Sequence, residues 1–173
     1  GILFGHQNTT LYGVGWHSHK QGTKTKSDCL EATGQYPVVY GWDINSLWNP
    51  VIPKNKVKRN LNWMRELVIN AYERGGINTF SWHLWNPSSP ERGNFYDTTP
   101  AVHDLLPGGK KHVWFKAELD KLAEFFLSFK SNNGTLIPII FRPWHEHNGH
   151  WFWWGLKHCG QKNYNKLFRF TVE

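Results

Sequence analysis

Four short apolar runs, each followed by polar residues and then by a stretch with helical period, constrain the fold of this chain more than any other feature. The runs are Ile2 to Phe4, "PVVYGWD" at Pro37 to Asp43, "INTFSWH" at Ile77 to His83, and "LIPIIFRPWHE" at Leu136 to Glu146. Each has the length and β-branched or aromatic content of a buried strand. Between the second and third, Val57, Leu61, Met64, Leu67, Val68, Ala71 and Tyr72 recur at three- and four-residue steps, and Gly75-Gly76 supplies a helix stop. Between the third and fourth, Phe115, Leu119, Leu122, Ala123, Phe126 and Phe129 repeat the spacing, with Gly134 beyond. This βαβα alternation predicts an α/β fold with a parallel sheet and right-handed crossovers, either open and doubly wound or closed as a barrel.

Two observations favour the barrel. "GVG" at Gly13 to Gly15 lacks the third glycine and the following helix of a dinucleotide-binding loop. Asp43, His83 and Glu146 each fall at the C-terminal end of an expected strand, where barrel enzymes gather their chemistry. A chain of 173 residues with 39% hydrophobic residues is long enough for one globular core.

Eleven tryptophans exceed what such a core requires, so they form either stacking platforms or a very aromatic interior. The net charge of +7 raises nucleic acid as a partner. Its lysines cluster at Lys20 to Lys26, Lys54 to Arg59 and Lys110 to Lys111, away from the aromatic-rich stretch, where Arg142 stands alone. Stacking and phosphate neutralisation are not interleaved, and nucleic acid is not the expected partner. No apolar run reaches membrane-spanning length. The chain starts directly at "GILFGHQ", which reads as a strand and not as a signal peptide; either the protein is cytoplasmic or a leader has been removed. Cys29 and Cys159 make no metal-binding spacing, and whether they pair is open.

The chemistry concentrates in "FRPWHEHNGHWFWWG", Phe141 to Gly155. Glu146 follows a buried strand and is flanked in sequence by Trp144, Trp151, Trp153 and Trp154, a setting expected to strip its hydration and disfavour its charged form, as suits a general acid. An ion pair with Arg142, four residues earlier and on the same side by parity, is the plainer reading, and it is compatible with the first. His145, His147 and His150 lack the helical HExxH spacing and lie in a loop, so no metal is expected. His83 reads equally as a strand-capping or a substrate-contacting histidine. Trp16 and Trp42 are assigned to packing, and Trp151 to core or platform.

"RPWHEHNGHWFWWG", with "ILFGHQ", "YPVVYGWD" and "GGINTFSWH" preceding it in order, resembles glycoside hydrolase family 26, whose best-known members are endo-β-1,4-mannanases. The resemblance runs from Gly1 to about Gly155, and "NYNKLFRFTVE" is similar to the family's next helix. It implies a (β/α)8 TIM barrel, of which this chain covers about strands one to four, and retaining hydrolysis of β-mannan, galactomannan or glucomannan without a cofactor. Glu146 matches the acid/base, His145 the histidine shaping the subsite of the attacked sugar, and Arg142 the arginine beneath the carboxylates. His83 matches a substrate-contacting histidine and Trp151 a sugar-stacking tryptophan. His147 departs from a methionine often found there. The family's nucleophile glutamate belongs to the seventh strand, whereas the only carboxylate here after Glu146 is Glu173. The chain is therefore expected to be the N-terminal half of one catalytic domain, inactive by itself, self-associating or paired with a missing C-terminal half. β-1,3-xylanase and mixed-linkage glucanase are related specificities; a noncatalytic mannan-binding protein or an inactive truncated product are the competing expectations. The expected location is secreted, periplasmic or cell-surface.

Overall fold

The computed structural model describes residues 1–45, 51–89 and 94–173. Strand β1 (Gly5–Gln7) leads into a hairpin of β2 (Tyr12–Gly13) and β3 (Trp16–His17), followed by short helices α1 (Ser18–Gln21) and α2 (Asp28–Thr33). Then come β4 (Val39–Asp43), α3 (Lys54–Glu73), β5 (Ile77–Ser81), α4 (Val102–Leu105), α5 (His112–Leu127), β6 (Ile139–Arg142) and α6 (Leu156–Val172). The main sheet has the order β1-β4-β5-β6, all parallel, so spatial order follows chain order as it does along the wall of a barrel.

Alternation along the strands sorts two faces. Tyr40 and Trp42 of β4 and Phe80 of β5 are buried against α3 and α5, in a core with Met64, Leu67, Val68 and Ala71 from α3 and Phe115, Leu122 and Phe125 from α5. Apart from Phe125, these helical residues are ones whose three- and four-residue spacing marks an apolar stripe; on α5 Phe125 is buried where the spacing pointed to Phe126, which is half-buried. A buried polar link crosses this layer: Trp42 Nε1 donates to Asn78 Oδ1 over 2.7 Å, and Asn78 Nδ2 donates to the Val68 carbonyl over 3.2 Å. Every polar atom in that link has a partner, so burying it carries no desolvation penalty for an orphan. The helix stop works as expected, with Gly75 in the left-handed region at φ 83°.

The opposite face carries Asp43, Thr79, Ser81, Ile140 and Arg142. Ile140 and Arg142 are exposed there. The sheet has two edges, because β1 and β6 each pair with a single neighbour.

The first strand lies later than its hydrophobicity predicts. Ile2, Leu3 and Phe4 are exposed, and pairing begins at Gly5 opposite Val39. As an edge strand, β1 has no second neighbour to cover apolar residues ahead of its ladder. The fourth expected run is also mostly loop: β6 ends at Arg142, and Trp144 to Gly155 form turns. "GVG" sits at the hairpin tip between β2 and β3, whose position is fixed by Asp28 accepting from the Val14 backbone N–H (2.7 Å) and Trp16 Nε1 (2.5 Å). Those two bonds also hold the Asp28 carboxyl below the usual carboxylate range. Cys29 and Cys159 are both free thiols. No helix among the described residues is long and apolar enough to cross a membrane.

Candidate active site

Three strand ends build the site. Asp43 closes β4 and sits in register with Ser81, the last residue of β5. Its carboxylate accepts from Ser81 Oγ (Oδ2, 2.7 Å), from the Asn45 backbone N–H (Oδ1, 3.0 Å) and from the His83 ring at Nδ1 (Oδ2, 2.6 Å). His83 in turn meets His145, with the two Nε2 atoms 3.1 Å apart. An Asp–His–His chain thus runs from β4 across β5 to the loop after β6. Burial chiefly, with repulsion from His83 adding to it, pulls the His145 pKa down to about 4 against the opposing pull of Asp43 and Glu146. His145 is therefore neutral at pH 7.

Aromatic rings enclose the chain. Phe95 lies 4.7 Å from the His83 ring, centroid to centroid, and Phe152 approaches both histidines edge-on while stacking on Trp154 at 4.4 Å. These rings dry the site and fix the imidazole planes.

The loop carrying Glu146 is strained. Trp144 and Glu146 both have positive φ, 53° and 56°, a region that costs a non-glycine residue on the order of 1 kcal/mol or more and that clusters at functional sites. Three buried indoles hold the loop in place. Trp144 Nε1 donates to Thr171 Oγ1 of α6, Trp153 Nε1 to the Leu84 carbonyl, and Trp154 Nε1 to the His145 carbonyl, each at 2.8–2.9 Å. All three side chains are fully buried.

That arrangement corrects the expected setting of Glu146. Its carboxylate is exposed, because Trp144, Trp153 and Trp154 turn into the core and leave only Trp151 beside it. Trp151, 48% exposed, donates its indole N–H to Glu146 Oε2 over 2.9 Å and lies at the surface, not in the core. The tryptophan surplus in this loop is interior with one exception. The plainer expectation for Arg142 also fails: its Nε donates to Thr79 Oγ1 at 3.0 Å, within the sheet face, and it makes no ion pair with Glu146. The local histidines diverge, since His147 stacks on Tyr164 at 4.3 Å and the His150 carbonyl accepts from His158, while His145 alone turns to His83.

His83, His145, Glu146 and Trp151 thus lie together at the C-terminal ends of the strands, with Arg142 below them on β6. Asp43, marked in the sequence by its place at a strand end, joins them, and Ser81 is a neighbour that the sequence reading did not mark; strand parity would have found it, because Ser81 and His83 share one face. Phe95 lies in a loop with no periodic signal to place it.

The family model for glycosyl hydrolase family 26 matches residues 1–173. A mannan endo-1,4-β-mannosidase of Bifidobacterium adolescentis is 38% identical over 175 aligned residues, covering 99% of this chain and 17% of that protein. One from Bacillus subtilis strain 168 is 32% identical over 93% of this chain and 44% of its own length. Among solved structures, a modular endo-β-1,4-mannanase of Cellulomonas fimi superposes with a TM-score of 0.87 at 41% identity, over 100% of this chain and 38% of that one. The family 26 β-mannanase of Bacteroides ovatus gives 0.85 at 40% identity, over 99% of this chain and 48% of that one. The chain spans less than half the length of each of these relatives. Its parallel strands and helices are accordingly a part of a (β/α)8 barrel, and with the family model matching from first residue to last the chain belongs to glycosyl hydrolase family 26.

Proposed function

We propose that residues 1–173 are the N-terminal half of the catalytic domain of a retaining endo-β-1,4-mannanase, with Glu146 as its general acid/base. The observation that carries this reading is the placement of Glu146: a solvent-facing carboxylate on a strained backbone at the open end of the strands, bonded to an exposed tryptophan and adjacent to a neutral histidine. The mannanases among the relatives supply the substrate class.

In the first half-reaction Glu146 gives its proton to the glycosidic oxygen as a second carboxylate attacks the anomeric carbon and forms a glycosyl–enzyme bond. In the second, Glu146 takes a proton from water, which displaces that carboxylate with net retention. Retention needs the two carboxyl groups about 5–5.5 Å apart. The nucleophile is assigned to a glutamate on the seventh barrel strand, outside these residues. Trp151 stacks on a sugar beside the cleaved bond, His83 and His145 contact the attacked sugar, and Arg142 lies beneath the carboxylates. A polysaccharide substrate does not cross membranes intact, so the enzyme acts in a secreted, periplasmic or cell-surface location.

The test is to assay the full-length protein on mannan, galactomannan, glucomannan, β-1,3-xylan and mixed-linkage glucan, following the anomer first released by NMR. Internal cleavage of β-1,4-mannan with release of the β-anomer, lost in Glu146→Ala, is expected. Binding of mannan with no cleavage by the parent would make the protein a noncatalytic binder.

A further inference from the structure

We propose that Asp43 is a positioning residue that sets the tautomers of both histidines in the chain, placing the proton on Nδ1 of His83 and on Nε2 of His145. The carboxylate of Asp43 can only accept, and the donors around it are the Ser81 hydroxyl, the Asn45 backbone N–H and His83 Nδ1, which therefore carries a hydrogen. With a single ring proton, held at Nδ1, His83 presents Nε2 as a bare acceptor. The 3.1 Å contact between the two Nε2 atoms needs one proton, and it must come from His145. His145 is itself neutral, so its Nδ1 is bare. That atom is buried and has no hydrogen-bond partner among the described residues.

The alternative arrangement is worse. Reversing the shared proton would put a hydrogen on His145 Nδ1 and strand an N–H donor in a buried position, and orphaned donors are rarer in proteins than under-satisfied acceptors. The relay thus makes the unpaired buried atom of His145 an acceptor and not a donor. The tautomer assignment does not rest on the proposed function.

The pinning of Asp43 makes the device reversible by a single substitution. The backbone N–H of Asn45 can only donate, so in Asp43→Asn the amide oxygen stays where Oδ1 is and the NH2 takes the place of Oδ2, facing His83 Nδ1. His83 Nδ1 must then accept, its proton moves to Nε2, and His145 is forced to carry its own proton on Nδ1. One substitution inverts two rings.

Nitrogen-15 NMR of the imidazoles in the intact catalytic domain, without ligand and at pH 7.5, reads this directly. The parent is expected to show protonated Nδ1 on His83, protonated Nε2 on His145, and a through-bond coupling between the two Nε2 nuclei. Asp43→Asn is expected to show both tautomers exchanged. A parent His83 protonated at Nε2, or a folded Asp43→Asn that keeps the parent tautomers, overturns the proposal. Should the variant not fold, the parent decides through its His83 Hδ1: a far-downfield signal marks the bond to the Asp43 carboxylate, and its absence overturns the assignment. None of these readouts depends on mannan cleavage, so failure here and failure of the proposed function are separate results.

Discussion

Trp151 and Glu146, five residues apart, are joined by an indole N–H bond of 2.9 Å to Glu146 Oε2. The contact couples the platform that would hold a sugar to the carboxylate that would protonate it. It forms because the loop doubles back, with the Gly149 N–H donating to the Glu146 carbonyl over 2.9 Å.

Replacing the acid with its amide removes proton donation and keeps the shape. In the full-length protein, Glu146→Gln is expected to lower hydrolysis of β-mannan by at least about 10²-fold with affinity little changed. Aryl mannosides with good leaving groups need no proton, and their first step should be less affected. Steady-state kinetics on both substrates checks this; unactivated mannan cleaved at the parental rate would remove Glu146 from the acid role.

The platform has a second handle in Gly149. A Cβ there would lie 2.4 Å from Trp151 Cζ2, so Gly149→Ala must displace the indole without touching its chemistry. Trp151→Ala and Gly149→Ala are both expected to weaken mannooligosaccharide binding by about tenfold, the scale of one lost aromatic contact. Calorimetric titration on folded variants measures it. Unchanged affinity in both would return Trp151 to a purely structural role.

His145 makes the domain sensitive to acid. Its pKa is about 4 folded, against an ordinary value of 6.5, so between those two pH values the unfolded chain takes up a proton that the folded protein refuses. Stability from this group is therefore intact above pH 6.5 and falls as pH drops through the window. Urea denaturation at pH 7 and pH 5 should show the midpoint falling in the parent and falling less in His145→Asn. An NMR titration placing His145 near 6.5 in the folded protein would contradict the expectation.

The parts of the fold that sequence pattern reveals are those where one periodicity dominates. α3 and α5 carry apolar residues every three or four positions, and β4 and β5 are short β-branched and aromatic segments between turn signals, so their expected bounds agree with the structure to within two or three residues. The hairpin of β2 and β3 has two-residue strands too short for any period, and it exists because Asp28, many residues on, ties its tip. At the site, Glu146 and His83 stand out by their places at the ends of expected strands, while roles for His145 and Trp151 come from the family resemblance. The hydration of Glu146 was not readable. Tryptophans adjacent in sequence should surround it if the backbone ran straight, but left-handed φ at Trp144 and Glu146 turns three indoles inward and the carboxylate out. Sequence nearness is a poor guide wherever the backbone takes a rare conformation.

The last expectation concerns residues 1–173 in isolation. A closed barrel gives every strand two neighbours, while β1 and β6 have one each. Beside β6 an apolar cleft of about 510 Å³ opens between α5 and α6, lined by Leu119, Phe126, Phe141 and Phe170, where the next strand and helix of a barrel would pack. Ile140 on the inner face and Ile2, Leu3 and Phe4 ahead of β1 are exposed as well. Unpaired edges and apolar surface of this kind favour association, so the isolated segment is expected to self-associate or aggregate. It is also expected not to cleave mannan, because Asp43, the carboxylate at the end of β4, two strands from β6, is already committed to Ser81, Asn45 and His83 and offers no free nucleophile. Supplying the remaining barrel strands as a second chain should restore solubility by covering the edges, and activity only if that chain carries the seventh-strand glutamate. Light scattering and a reducing-end assay on the purified segment test the two halves separately. A monodisperse, cooperatively unfolding monomer would defeat the first, and mannan cleavage that disappears in Glu146→Ala would defeat the second.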